Sequence, residues 1–288
     1  MTDERDDVIA DFEAHREFLQ AIAYRMLGSV ADSEDVVQNA FLRWQDVDRS
    51  EIEEPRGYLA RIVSRLCLDE LKSARHRREE YVGTWLPEPI VAAPAQTLAD
   101  DLSVALLLAL ERLSPLERAA FLLHDVFDMD YAGVAATLET SEGACRQLAS
   151  RAREHVQQER TRHAITGTDA RQIAEAFVAA AATGDVGVLA RLLADDAVLY
   201  TDGGGKRRAA LRPIHGKDRI VRFYEGVRTK FGGNAFTAQR AEETTLNGLP
   251  GFVFHTAEGT ETVAFEIANG VVVAIYNVRN PDKVKHLE

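Results

Sequence analysis

The sequence predicts three folded pieces: two all-α domains, the second carrying a helix-turn-helix, then an α+β domain with a curved, mostly antiparallel sheet. Three observations carry that expectation. Apolar residues recur at helical spacing through most of the chain up to Val156. The tract YVGTWLPEPIVAAPAQ, with its three prolines, has no such period and runs as an extended linker. From Phe236 onward apolar and polar residues alternate, punctuated by Asn247-Gly248 and Asn269-Gly270. At 288 residues the chain has room for two or three domains, and the expected boundaries are 1–80, a linker 81–100, 101–163 and 168–288.

Taken in order, Phe12, Phe18, Leu19, Ile22, Ala23 and Met26 share one helical face that stops at Gly28. Asp32 or Ser33 is expected to open the next helix, with acids in its first turn where the helix dipole favours them. Val36, Val37, Ala40, Phe41 and Trp44 form its inward stripe, while Leu42 projects on the other side beside Asp35 and Gln38. A lone outward Leu is ordinary and by itself only weakly suggests a partner.

An acidic loop over 46–54 ends at Pro55, which starts PRGYLARIVSRLCLDELKSARHRR. Leu59, Ile62, Val63, Leu66, Cys67 and Leu71 make its buried face, and Arg61, Arg65 and Lys72 line up within about 40° on the other. Tyr58 and His76 flank that line, and Arg75 lies just past it. Such a stripe can be no more than a solvated face. One nearly all of one sign, with an aromatic in it, also suits phosphate and unstacked bases.

In the linker, Trp85 and Leu86 would cost roughly 1.5–3 kcal/mol each to leave in water, so the tract is expected to dock on a neighbouring domain. Helices follow over 102–113 and from Pro115 to about Phe127. Ser114-Pro115-Leu116-Glu117 is a strong helix start: Ser caps, Pro fits the first turn and Glu returns to the cap amide. DYAGVAATLETSEGACRQLASRAREHV then reads as two short helices around a tight turn, capped by Asp130 and Ser141. Val134, Ala135, Leu138, Ala144, Cys145, Leu148, Ala149, Ala152 and Val156 face inward. Arg146, Gln147, Ser150, Arg153 and Glu154 face outward, with Arg151 at the edge. That polar face suits a major groove, and an ordinary helical hairpin is the alternative.

Beyond the polar segment RTRHAITGTD, a helical stretch over 170–193 breaks at Gly184-Asp185, and AVLYTDG reads as a strand. A helix over 217–231 buries Ile220, Phe223, Tyr224 and Val227. Strands are expected over 236–246, 252–256, 261–267 and 271–278, an α+β arrangement.

The formal charge of −12 argues against non-specific coating of nucleic acid, but two basic islands, between Arg56 and Arg78 and between Ser141 and His163, stand out against it. Cys67 and Cys145 fall on apolar helix faces and read as reduced, buried thiols. No His or Cys cluster has metal-ligand spacing, so no metal and no cofactor is expected. No apolar run reaches membrane-spanning length, and the acidic start is no secretory signal, which points to the cytoplasm.

The blocks DSEDVVQNAFLRW, PRGYLARIVSRLCLDELKSARHRR and LSPLERAAFLLHDVF with YAGVAATLETSEGACRQLASRAR resemble bacterial extracytoplasmic-function sigma factors. LLADDAVLYTDGGGK and the late NPDKV are similar to the SnoaL-like extension of one subgroup, of which WLPEP is a further mark. The resemblance implies a transcription initiation factor, not an enzyme, with core RNA polymerase and promoter DNA as partners; nothing in the residues calls for a dimer, so the free chain is expected to be a monomer, and a small ligand in the C-terminal domain is a further candidate partner. It implies that Asp35, Gln38, Phe41 and Leu42 meet the polymerase. It assigns Arg61, Arg65, Lys72, Arg75 and the acidic loop to the −10 element, and Tyr58, which flanks that line, is expected to contact DNA with them. Arg146, Gln147, Ser150, Arg151 and Arg153 go to the −35 element. A regulatory interface would join Trp85, Leu86, Pro87, Glu88 and Pro89 to Asp202, Gly203, Gly204, Gly205 and Lys206 and to Asn280, Pro281, Asp282 and Lys283. The chain departs from the family at Asn39, often Glu, at Leu148, often Arg, and at Glu139, which replaces a common Gly. The last costs about 1 kcal/mol if its backbone is left-handed.

The rival reading is a SnoaL-like small-molecule-binding or isomerase- or cyclase-type domain fused to a helix-turn-helix regulator. Asp195, Asp196, Asp202, His215 and His255 are its acid and base candidates. Fold alone does not imply chemistry.

Overall fold

The computed structural model describes residues 2–49, 52–79, 81–91, 104–160, 170–230 and 240–288, without the side chains of 2–7, 73–79 and 158–160. The chain divides into two compact units: Met1–Glu79 with Leu106–Glu159, and Glu80–Ala105 with Arg160–Glu288. Among the described residues no helix is long and apolar enough to cross a membrane.

The first unit is all helical. It begins with α1 (Thr2–Glu13), α2 (Arg16–Leu27), α3 (Val30–Gln45) and α4 (Pro55–Glu79). The single stretch expected up to Gly28 is thus two helices, and Gly28 ends the second at φ 68°, its N–H donating to the Tyr24 carbonyl. The next helix is opened by Ser29, not by Asp32 or Ser33: the Ser29 hydroxyl accepts from the Asp32 amide at 3.2 Å. Ser33 sits inside the helix and bonds back to the Ser29 carbonyl at 2.5 Å. Phe12, Leu19, Ile22, Val37, Ala40, Trp44, Leu59, Val63 and Cys67 are fully buried where these helices meet, while Ile62 and Leu66 are half-buried. Burial pushes the Cys67 thiol far above its ordinary pKa, so it stays a packed, inert group.

The same unit continues with α5 (Val104–Glu111), α6 (Pro115–Phe121), α7 (Tyr131–Leu138) and α8 (Glu142–Arg160). Ser114 and Glu117 form the expected capping box. The helix expected to run to Phe127 instead widens after Phe121 into a π turn over Leu122–Val126, with the Phe127 amide on the Leu122 carbonyl at 3.0 Å. Asp130 caps α7 through Gly133 N at 2.8 Å, and Ser141 caps α8 through Ala144 N at 3.2 Å. Ala120, Leu123, Val134, Cys145 and Ala149 make the small core that fixes α8 against α6 and α7. Glu139 stands between α7 and α8 at φ 53°, in the left-handed region.

The second unit holds α9 (Ala170–Thr183), α10 (Val186–Leu192), β1 (Leu193–Asp202), β2 (Ile214–His215), α11 (Lys217–Lys230), β3 (Arg240–Leu246), β4 (Leu249–Thr256), β5 (Gly259–Ala268), β6 (Val271–Val278) and α12 (Pro281–Val284). The expected break falls at Gly184, φ 78°, after which Asp185 caps α10. The strand expected to start at Phe236 is described only from Arg240. One mixed sheet runs β2-β1-β6-β5-β4-β3, with β1 parallel to β6 and every other neighbouring pair antiparallel. Asn247-Gly248 and Asn269-Gly270 take positive φ at both residues, as two-residue hairpin turns require. Register shifts at Glu266/Ile267 and between Leu193 and Val198 bend the sheet around its helices. Phe177, Ala181, Leu189, Ile220, Tyr224, Phe252, Phe254, Phe265 and Ile275 fill the space between.

Candidate functional site

In the first unit a cavity of about 530 Å³ opens where the acidic loop meets α4, lined by Val47, Asp48, Ile52, Glu53, Glu54, Tyr58 and Arg61. Trp44 is buried beneath it and holds the Tyr58 ring at 5.9 Å, and the Arg61 guanidinium lies 5.8 Å from the same ring. An aromatic and a cation at the rim of a polar hollow can take a planar, unstacked base by stacking and hydrogen bonding. Lys72, about three turns further along the same face, is exposed and paired with Asp69 at 2.9 Å. The side chain of Arg75 lies outside the described residues. Arg65 is exposed but occupied by carbonyl groups of α7.

On α3, Asp35, Gln38, Asn39 and Leu42 are exposed together, Leu42 with 50 % of its surface in water. Phe41 departs from that group. Its ring packs edge-on to Phe12 at 5.0 Å, so it holds α1 on α3.

On α8, Gln147 and Ser150 point to solvent, and Arg146 is exposed beside Glu142 at 2.7 Å and over the Tyr131 ring at 4.9 Å. The two later arginines are engaged in the fold. Arg151 pairs with Glu117 at 2.8 Å, and Arg153 pairs with Asp125 at 2.5 Å and donates to the Tyr131 hydroxyl at 2.9 Å. Both tie α8 to the elements behind it, which the separation of 34 and 28 residues hid from helical-wheel reasoning. The Ser114 hydroxyl, more than Arg151, holds the Glu117 carboxyl below the ordinary carboxylate range.

In the second unit the WLPEP tract is clamped. Asp202 is fully buried at the end of β1 and accepts from the Tyr81 hydroxyl (2.5 Å), Leu86 N (2.9 Å), Gly204 N (3.0 Å) and Lys283 Nζ (2.8 Å). Lys283 Nζ also donates to the Leu86 carbonyl at 2.5 Å and lies 4.2 Å from the Trp85 ring. Leu86, Pro87, Glu88 and Pro89 are buried, and His286 Nε2 meets the Pro89 carbonyl at 2.8 Å. Ile90 and Asn247 exchange two hydrogen bonds, Ile90 N to Oδ1 at 3.0 Å and Asn247 N to the Ile90 carbonyl at 2.9 Å. The inferred docking of Trp85 and Leu86 is therefore seen, on the sheet end of this unit.

The glycines make this possible by their lack of side chains. A Cβ on Gly203 would collide with the Arg207 carbonyl and one on Gly204 with the Asn280 amide, whereas one on Gly205 meets only Val82 at 3.1 Å. Asn280 caps α12 through Asp282 N and donates to the Tyr81 hydroxyl at 2.9 Å. Lys206 pairs with Asp282 at 2.5 Å, Pro281 being exposed beside it. Burial and the neighbouring Asp202 carboxylate push the Tyr81 phenol well above its ordinary pKa. Tyr81, Asn247 and His286 were not legible as members of this clamp, and neither was the network in which buried Glu261 accepts from Arg279 at 2.6 Å and Arg207 at 3.4 Å.

The acid and base candidates do not gather around one hollow. Asp195 is exposed and paired with Lys217 at 2.5 Å, and Asp196 and His215 are exposed. His255 meets Glu242 and Thr260, each at 3.2 Å, and Asp202 belongs to the clamp. Among the described residues no group of His, Cys, Asp and Glu is placed to hold a metal.

Comparison with known proteins places three family models along the chain: Sigma-70 region 2 on residues 12–77, Sigma-70 region 4 on 103–156 and a SnoaL-like domain on 174–286. The chain is 40 % identical over 292 residues to the ECF RNA polymerase sigma factor SigJ of Mycobacterium tuberculosis, covering 96 % of this chain and 92 % of that protein. It is 37 % identical over 197 residues to the probable ECF RNA polymerase sigma factor SigI of the same organism, covering 66 % and 68 %. The crystal structure of M. tuberculosis SigJ matches with a TM-score of 0.79 and 37 % identity, over 96 % of this chain and 98 % of that one.

Proposed function

This chain belongs to the extracytoplasmic-function RNA polymerase sigma factors, and on that premise we propose how its parts divide the work of promoter-specific initiation. The exposed face of α3, with Asp35, Gln38 and Leu42, meets core RNA polymerase. The cavity at Tyr58 and Arg61 takes an unstacked base of the −10 element, with Arg65, Lys72 and Arg75 along the backbone. Arg146, Gln147 and Ser150 on α8 read the −35 element in its major groove, where side-chain donors and acceptors can distinguish all four base pairs. Arg151 and Arg153 support α8 from behind. The observation that carries this division is the exposure of Arg61 and Lys72 on α4 and of Arg146, Gln147 and Ser150 on α8 in a chain whose net charge is −12.

The fused domain regulates these faces in cis. Its support is the clamp: the tract 81–91, which leads from one helical region towards the next, is fixed by Asp202 and Lys283, so the reach available to that tract is shortened. The clamp lies where the resemblance implies a regulatory interface.

Run-off transcription with purified core RNA polymerase tests the assignment. The chain is expected to select promoters only with core enzyme present, and Leu42→Asp is expected to abolish initiation while leaving unfolding unchanged. Retardation of duplex promoter DNA by the chain alone, with no initiation when core is added, would overturn it in favour of an operator-binding regulator.

A further inference from the structure

Arg65 stands in the middle of the basic line on α4, yet in the free chain it is already engaged. Its guanidinium donates from Nε to the Thr137 carbonyl at 3.2 Å and from Nη2 to the Ala136 carbonyl at 2.9 Å, and Nη2 lies 3.1 Å from the Glu139 carboxylate. The last carbonyls of a helix lack partners within it, and the negative end of its dipole favours a cation. Glu139 adds a full charge at that spot. It does so from a left-handed backbone, φ 53°, where glycine would be cheaper by about 1 kcal/mol. The glutamate is locally the worse residue for the turn, and the contact it makes is with Arg65.

Other contacts join the two helical regions through α2. Arg118, buried on α6, donates to the Met26 carbonyl at 2.5 Å, and the Phe127 ring stands edge-on to Phe18 at 5.4 Å. The apolar part gives the two helical regions a resting position, and the Arg65 site gives that position a charge that a phosphate can replace.

We propose that Glu139 and the carboxyl end of α7 form an internal receptor for Arg65, so that the helix-turn-helix occupies part of the −10 face until polymerase separates the two. The receptor and a promoter phosphate compete for one guanidinium. The competition rests on the assignment of α4 to the −10 element made above; the receptor itself does not.

Full-length chain is compared with Glu139→Gly, which suits the positive φ and keeps the turn folded, with Glu139→Gln and with Arg65→Ala. Dyes at exposed Gln45 on α3 and His155 on α8 report separation, and a fluorescent single-stranded −10 oligonucleotide reports binding with and without core. Both Glu139 variants are expected to lengthen the dye separation and to gain about two- to fivefold in oligonucleotide affinity without core, as loss of an exposed ion pair allows. The gain is expected to vanish in the holoenzyme, and Arg65→Ala is expected to lengthen the separation while binding less tightly. Unchanged separation in all three variants overturns the receptor. A gain equally large in the holoenzyme also overturns it, because Glu139 would then act by repelling DNA. Lengthened separation with no change of affinity in any variant overturns the competition and places the failure in the assignment of α4 to the −10 element.

Discussion

Arg65 and Lys283 each donate to a carboxylate and to a main-chain carbonyl, and the two contacts differ mainly in their surroundings. The Arg65 and Glu139 side chains keep 46 % and 75 % of their surface, whereas Lys283 and Asp202 keep 8 % and none. In the first setting water screens the pair, which is worth roughly 0–1 kcal/mol. In the second, loss of one partner strands a buried charge and costs about 3–5 kcal/mol. Similar atoms thus make a contact that a competing anion can exchange in the first unit, and a fastening that holds under native conditions in the second.

Lys283→Ala is expected to destabilise the second unit by about 3–5 kcal/mol in urea unfolding and to expose the tract 81–91 to protease. Loss below about 1 kcal/mol would mean that water reaches Asp202. Gly203→Ala comes next, because its Cβ would strike backbone at Arg207; about 1–3 kcal/mol is expected in the same assay. Gly205→Ala faces only Val82 in space but pays for its φ of 71°, so about 1 kcal/mol is expected, and a ranking reversed between the two would show that the loop relaxes.

On α8, Arg146→Ala is expected to cost about 1–3 kcal/mol of promoter discrimination at one −35 position with little loss of stability. Arg153→Ala is expected to lower thermal stability and weaken all promoters alike. A position-specific change from Arg153→Ala would restore it to base reading.

The smallest effect is in alkali. Folding raises the Tyr81 pKa, so its contribution is complete below the unfolded value of about 10 and declines as pH rises past it. The stability difference between wild type and Tyr81→Phe should therefore be flat at neutral pH and shrink above about pH 10. A difference that stayed flat through about pH 10 and above would place the phenol in water, where its pKa is the same folded and unfolded.

Local chemistry was legible where a residue acts on its neighbours. Ser114, Asp130 and Ser141 cap the helices they precede, and Asn269-Gly270 closes its hairpin, because partners three residues away are fixed by helix or turn geometry. The pattern does not single out Ser29, because Asp32 and Ser33 offer the same capping chemistry a few residues later. Contacts between distant residues were not legible. Nothing in the pattern of α4 says that Arg65 meets Thr137, or in α8 that Arg153 meets Asp125. The pairing of β1 with β6 joins strands far apart in sequence and leaves no local trace. The clamp was half legible: Trp85 and Leu86 were too apolar to remain in water, and family motifs marked the region, but Tyr81, Asn247 and His286 carry no signal except their place in space.

Strand β6 lies between β1 and β5, and Lys283 follows it, 197 residues after Leu86 and 81 after Asp202. During synthesis both helical regions and the WLPEP tract therefore leave the ribosome long before the lysine that fastens the tract exists. Until then Asp202 has no ammonium partner. A product cut short of position 283 keeps the Tyr81, Leu86 and Ile90 contacts of the tract but lacks the ammonium that joins Asp202 to the Leu86 carbonyl.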